Sequence, residues 1–135
     1  MSEILVDTGP LVGWINKRDQ WHDWSVAVLS DLVPPLLTCE AVIAEAVWHL
    51  HSSQIAVDQL YGLVSDGALR IVDLLPDHAL HIRALSAKYR EMDFCDAAMV
   101  RLSEIFPKAK LITTDTAHFQ IYRRFLNQTI PLIHP

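Results

Sequence analysis

Four acidic residues stand where short apolar runs give way to turns or to helix-like stretches: Asp7, Glu45, Asp96 and Asp115. Asp7 closes the run Ile4-Leu5-Val6, and Asp115 comes two residues after the end of Lys110-Leu111-Ile112-Thr113. Asp96 falls in the first turn of a helical segment that begins near Asp93, and Glu45 lies inside a second such segment, Ala41 to Leu50. If the fold gathers these carboxylates, they repel one another, and the usual resolution is a hard divalent cation held by oxygen ligands. Each acid also has a plainer reading. Asp7 before Thr8-Gly9-Pro10 can cap a helix. Asp93 and Asp96 have the spacing of a capping-box variant, and Thr114-Asp115 that of a turn and N-cap. Glu45 is the most informative, because it flanks an apolar stripe where a solvated glutamate gains little. Glu40, near the helix start, is explained by the helix dipole alone.

Other chemistries find less support. His49 and His51 are two apart on a helix and diverge by about 200°, so they cannot share one metal unaided. Trp21-His22 and His118-Phe119 read as surface or packing positions, and the tryptophans at 14, 21, 24 and 48 as core or subunit interface. No serine has nucleophile-elbow spacing, and no glycine-rich phosphate loop is present among four glycines. Lys17-Arg18 and Arg123-Arg124 are small basic pairs that read as solvated faces or phosphate contacts. A phosphatase-like metalloenzyme is disfavoured, since no Asp-x-Asp follows the first apolar run. A non-catalytic module that binds RNA or protein, its acids serving as caps, is the competing class.

The elements that must position these acids alternate short apolar runs with stretches of helical period. Strands are expected at 3–7, Leu36-Leu37, 69–74, 110–113 and, at an edge that tolerates Pro131, 130–133. Helices are expected from Pro10 to Ile15, from about Trp21 to Leu32 where Pro34-Pro35 stops it, from Ala41 to Leu50 behind a Thr38 cap, and from Ile55 to Val64. A further helix capped by Asp77 carries His78, Leu80, Ile82, Leu85 and Tyr89; another runs from Asp93 to about Ile105, and a short one from near Ala117 to Phe125. Strands separated by helices imply parallel pairing with right-handed crossovers, hence a three-layer α/β/α sandwich around a short, mainly parallel sheet. In such sheets ligands bind outside the carboxyl ends of the strands, where Asp7 and Asp115 fall.

Composition fits one domain spanning 1–135: 51% of the 135 residues are apolar and 20% charged. The first apolar run ends at Asp7, and nothing later approaches the roughly 18 uninterrupted apolar residues of a membrane span, so a cytoplasmic protein without signal peptide is expected. Cys39 and Cys95 lack metal-type spacing and read as reduced, buried thiols. A net charge of −5 argues at first sight against a nucleic-acid partner. Setting the four candidate acids aside leaves 12 acids against 11 basic residues, so the excess is mostly one candidate site. Binding of a polyanion should then depend on the divalent ion.

Four segments, in this order and spacing, resemble the motifs of the PIN-domain ribonuclease family, especially its VapC-type toxin branch. They are Ile4-Leu5-Val6-Asp7-Thr8-Gly9-Pro10, Thr38 to Leu50, Met92-Asp93-Phe94-Cys95-Asp96-Ala97-Ala98, and Leu111-Ile112-Thr113-Thr114-Asp115 followed by Phe119. The resemblance covers nearly the whole chain and places the family's acids at Asp7, Glu45 (not Glu40), Asp96 and Asp115. It implies magnesium- or manganese-dependent hydrolysis of RNA to a 3′-hydroxyl and a 5′-phosphate. For toxin members it also implies a homodimer inhibited by a cognate antitoxin; a standalone RNA-processing nuclease is the alternative within the family. On this reading Asp7 and Asp96 bind the ion directly, and Glu45 and Asp115 complete the site. Thr8 and Thr114 are expected to orient carboxylates, and Asp93 is either a cap or an outer ligand.

Overall fold

The computed structural model describes residues 3–135. Five short strands, β1 (Ile4–Val6), β2 (Leu36–Thr38), β3 (Leu69–Ile71), β4 (Lys110–Ile112) and β5 (Leu132–Ile133), form one sheet in the order β3-β2-β1-β4-β5. Every pairing is parallel, including that of the Pro131-flanked edge strand β5. Seven helices connect the described strands: α1 (Thr8–Ile15), α2 (His22–Ser30), α3 (Glu40–Leu50), α4 (Gln54–Ser65), α5 (Ala79–Lys88), α6 (Phe94–Ile105) and α7 (Thr116–Ile121). A sheet covered on both faces needs central strands that are apolar throughout, and Leu5, Val6, Leu37, Leu111 and Ile112 are all essentially inaccessible. The chain leaves β1 toward β2 on one side and returns to β4 on the other. The strand order thus reverses between β1 and β4, and their carboxyl ends flank the crevice where open α/β sheets bind ligands.

Several boundaries differ from expectation for local reasons. Thr38 does not cap α3: it is the last residue of β2, its hydroxyl donates to the Val6 carbonyl at 2.8 Å, and Cys39 is the N-cap. Pro10 is the third residue of α1 instead of the first, a position whose N–H would also lack an intrahelical partner. The chain between β3 and α5 is a turn in which His78, not Asp77, precedes the helix. The segment expected to be helical to Phe125 stops at Ile121 and continues into a 3₁₀ turn over Phe125–Asn127.

Arg124 is neither a solvated face nor a free phosphate contact. It is 6% exposed, and its two terminal nitrogens donate to the Ser103 and Pro107 carbonyls at 2.8 Å each, closing the carboxyl end of α6. Trp24 packs against the core, whereas Trp48 is 69% exposed. Cys39 and Cys95 are free, buried thiols, as expected from their apolar settings. No helix among the described residues is long and apolar enough to cross a membrane.

Candidate metal centre

The four acids reach one cleft from four parts of the chain. Asp7 leaves β1 as the N-cap position of α1, and its backbone N–H donates to Ile112 O at 3.0 Å, fixing it beside the end of β4. Asp115 follows β4 as the N-cap of α7. Asp96 lies in the first turn of α6, and Glu45 in the middle of α3. Together with Thr8, Gly9 and Thr114 they line a cleft of about 350 Å³. The fold has little slack there: a Cβ on Gly9 would lie 2.0 Å from Thr114 Oγ1, so α1 meets the loop after β4 only because residue 9 has no side chain.

Asp7 is 7% exposed, and its Oδ2 accepts from the Thr113 hydroxyl at 2.9 Å. Burial, chiefly, pushes its carboxyl up to about 7; the Thr8 backbone N–H and Thr113 oppose this, and the charges of Asp96 and Glu45 add to it. Asp96 is held by the Tyr122 hydroxyl, which donates to Oδ2 at 2.8 Å. Burial raises it to about 6, opposed by Tyr122 and reinforced by Asp93, Asp115 and Glu45. Asp115 makes two contacts, the N-cap expected of it and one with a neighbouring histidine. Its Oδ1 accepts from His118 N–H at 3.3 Å, capping α7, and its Oδ2 lies 3.0 Å from His118 Nδ1. That contact, first by hydrogen bonding and then by charge, raises the His118 pKa above its ordinary value.

The positioning side chains differ from those expected. Just past β4 the threonine that touches a carboxylate is Thr113, whose Oγ1 also accepts from Asp115 N–H at 3.0 Å; Thr114 lines the cleft against Gly9. Thr8 engages Asp7 through its backbone N–H, while its hydroxyl pairs with Cys95 Sγ at 3.9 Å. Asp93 is a cap: its Oδ1 accepts from Asp96 N–H at 2.8 Å. Tyr122 went unnoticed in the sequence because it lies 26 residues from the acid it holds, and His118, read as a surface or packing position, instead pairs with Asp115 three residues before it. His49 also lines the cleft, one helical turn after Glu45 on the same face, a spacing the sequence does show.

An all-oxygen donor set from carboxylates and hydroxyls suits a hard divalent cation, and Asp7 and Asp96, raised chiefly by burial and further by neighbouring acids, are carboxyls that such a cation would restore to the ionised state. Among the described residues, no three His, Cys, Asp or Glu side chains already stand in a metal-binding arrangement. Asp96 is engaged by Tyr122 and Asp115 by His118, so their carboxylates would have to share those partners with an ion.

Comparison with known proteins agrees with this architecture. The structure is similar to the crystal structure of Mycobacterium tuberculosis VapC20, described as a sarcin-ricin loop cleaving toxin. The TM-score is 0.73 at 17% identity, covering 81% of this chain and 87% of that one. No curated protein matches the sequence. The profile of the PIN domain matches residues 4–124, a span that includes all four acids. By that match, the chain belongs to the PIN domain family.

Proposed function

We propose that the protein is a divalent-metal-dependent ribonuclease acting as the toxin of a type II toxin–antitoxin pair, a single-domain, cytoplasmic protein that works as a homodimer. The observation that carries the hydrolytic reading is the meeting of Asp7, Glu45, Asp96 and Asp115 in one cleft at the strand-order reversal, with Asp7 and Asp96 raised by burial and by neighbouring acids. The likeness of the fold to a VapC toxin described as cleaving the sarcin-ricin loop supports RNA as substrate and an antitoxin as partner.

Asp7 and Asp96 hold the cation in this reading, and Glu45 and Asp115 complete its surroundings. Magnesium or manganese, when bound, supplies Lewis acidity toward a phosphoryl oxygen and a water of lowered pKa. The protein supplies orientation. Thr113 fixes the Asp7 carboxylate, Tyr122 fixes that of Asp96, and the buried floor around Asp7 strengthens every charge interaction above it. No side-chain nucleophile is needed, and hydrolysis leaves a 3′-hydroxyl and a 5′-phosphate.

The test is cleavage of a panel of structured and single-stranded RNAs in magnesium, in manganese and in chelator, with product ends mapped. Metal-dependent cleavage lost in both Asp7→Asn and Asp96→Asn is expected. Cleavage that persists in both variants would overturn the assignment. A folded protein that binds RNA without cleaving it under any metal would favour the binding module.

A further inference from the structure

The cleft has further lining that the metal chemistry does not use. Asp19, Gln20 and Trp21, from the connection between α1 and α2, line it together with the acids, as does His49 beside Glu45 on α3. This connection is held rigidly. Asp19 Oδ1 accepts from Trp21 N–H at 2.8 Å, and Trp21 O accepts from Ser25 N–H at 2.9 Å. His22 Nδ1 pairs with Gly13 O at 2.7 Å. A Cβ on Gly13 would lie 2.5 Å from Ser25 Oγ and 3.2 Å from Trp21 O, so α1 and the start of α2 are in direct backbone-level contact. The Trp21 backbone is therefore pinned where the residue lines the cleft.

Packing does not account for that tryptophan. Trp24, one turn later, is among the half-buried residues that pack on the hydrophobic core; Trp21, also half-buried, is not among them. An indole beside a phosphate-handling cluster, with an exposed carboxamide next to it, has the chemistry of nucleobase recognition. Aromatic rings stack on bases of any identity, and an amide reads their edges with both donors and an acceptor. A cleft of about 350 Å³ is at the small end of ligand sites and suits one nucleotide rather than a length of duplex.

We propose that Trp21 and Gln20 form the base-binding subsite of this cleft, Trp21 stacking on the nucleobase adjoining the scissile phosphate and Gln20 meeting its edge. The proposal rests on the nuclease reading above for the word scissile, and on the cleft geometry alone for the binding of a base.

Two measurements separate the two ideas. The first is steady-state cleavage of a single-stranded RNA by Trp21→Phe and Trp21→Leu, which keep an apolar side chain with and without a π-face. Loss of stacking should raise KM on the order of 10-fold or more in Trp21→Leu, with kcat changed far less and Trp21→Phe close to the parent. An abasic site next to the cleaved bond should give the parent the same defect and leave Trp21→Leu no worse. The second needs no turnover: anisotropy of a fluorescein-labelled single-stranded decaribonucleotide in calcium, together with calorimetric titration of manganese. Weaker RNA binding in Trp21→Leu with unaltered manganese binding is expected, whether or not the parent cleaves RNA. Equal RNA affinity in the parent, Trp21→Phe and Trp21→Leu would overturn the subsite even if cleavage is robust.

Discussion

The Thr113 hydroxyl donates to Asp7 Oδ2 at 2.9 Å across a sequence separation of 106 residues, joining the ends of β1 and β4 at the floor of the cleft. The same oxygen accepts from the Asp115 N–H at 3.0 Å, so one side chain sets two of the four acids. Thr113→Val removes both bonds with little change in volume. Metal affinity should fall about 10- to 100-fold, the usual consequence of losing a partner that orients a ligand. Calorimetric titration with manganese checks this, and Thr113→Ser should retain most of the affinity.

Asp7 and Asp96 titrate above the ordinary carboxylate range, so the metal-free native state binds more protons than the unfolded state between about 4 and 7. Stability therefore falls as pH rises through that window, since the unfolded chain ionises freely and the native one does not. Thermal unfolding of chelator-treated protein should show a lower Tm at pH 8 than at pH 5. Millimolar magnesium should raise the Tm more at pH 8 than at pH 5, and an equal shift at both would contradict the assignment.

Asp7→Asn removes the buried charge but keeps the shape. Without metal at pH 8 it should be more stable than the parent by an amount on the order of 1–4 kcal/mol, given a carboxyl raised to about 7. The stabilising effect of magnesium should be lost in the same variant. Denaturant unfolding with and without the ion reads both outcomes.

Gly9 and Thr114 should behave as a coupled pair. Gly9→Ala drives a methyl group into Thr114 Oγ1, with 2.0 Å available, and should lower both stability and metal affinity. Thr114→Ala vacates that space, so the double variant should be more stable than the sum of the single changes allows. A coupling of about 0.5–3 kcal/mol in a double-mutant cycle is expected.

Arg124 should matter for folding and not for the cleft. Its guanidinium satisfies the Ser103 and Pro107 carbonyls from a nearly inaccessible position, far along α6 from Asp96. Arg124→Met leaves those acceptors unpaired and should destabilise by about 2–5 kcal/mol. Manganese affinity of the folded variant should match that of the parent.

The order of elements, the parallel sheet and the four acids at strand ends or on helices were legible in the sequence. Those signals are local: an apolar run, a helical stripe, an acid one residue past a strand, an Asp93 three residues before the amide it caps. What only the tertiary structure decided was which side chains hold the acids. Adjacent residues at the end of a strand point to opposite sides, so whether Thr113 or Thr114 meets Asp7 depends on the register of β4 against β1, set by pairings such as Val6 with Ile112. Tyr122, at the end of α7, reaches Asp96 in the first turn of α6, and Trp21 lines the cleft because the chain reverses between α1 and α2, bringing Ser25 and the Trp21 carbonyl against Gly13. None of these contacts lies within the span over which hydrophobic period or capping carries information. They follow from close packing between distant segments, where a displacement of one residue or one methyl group changes the partner.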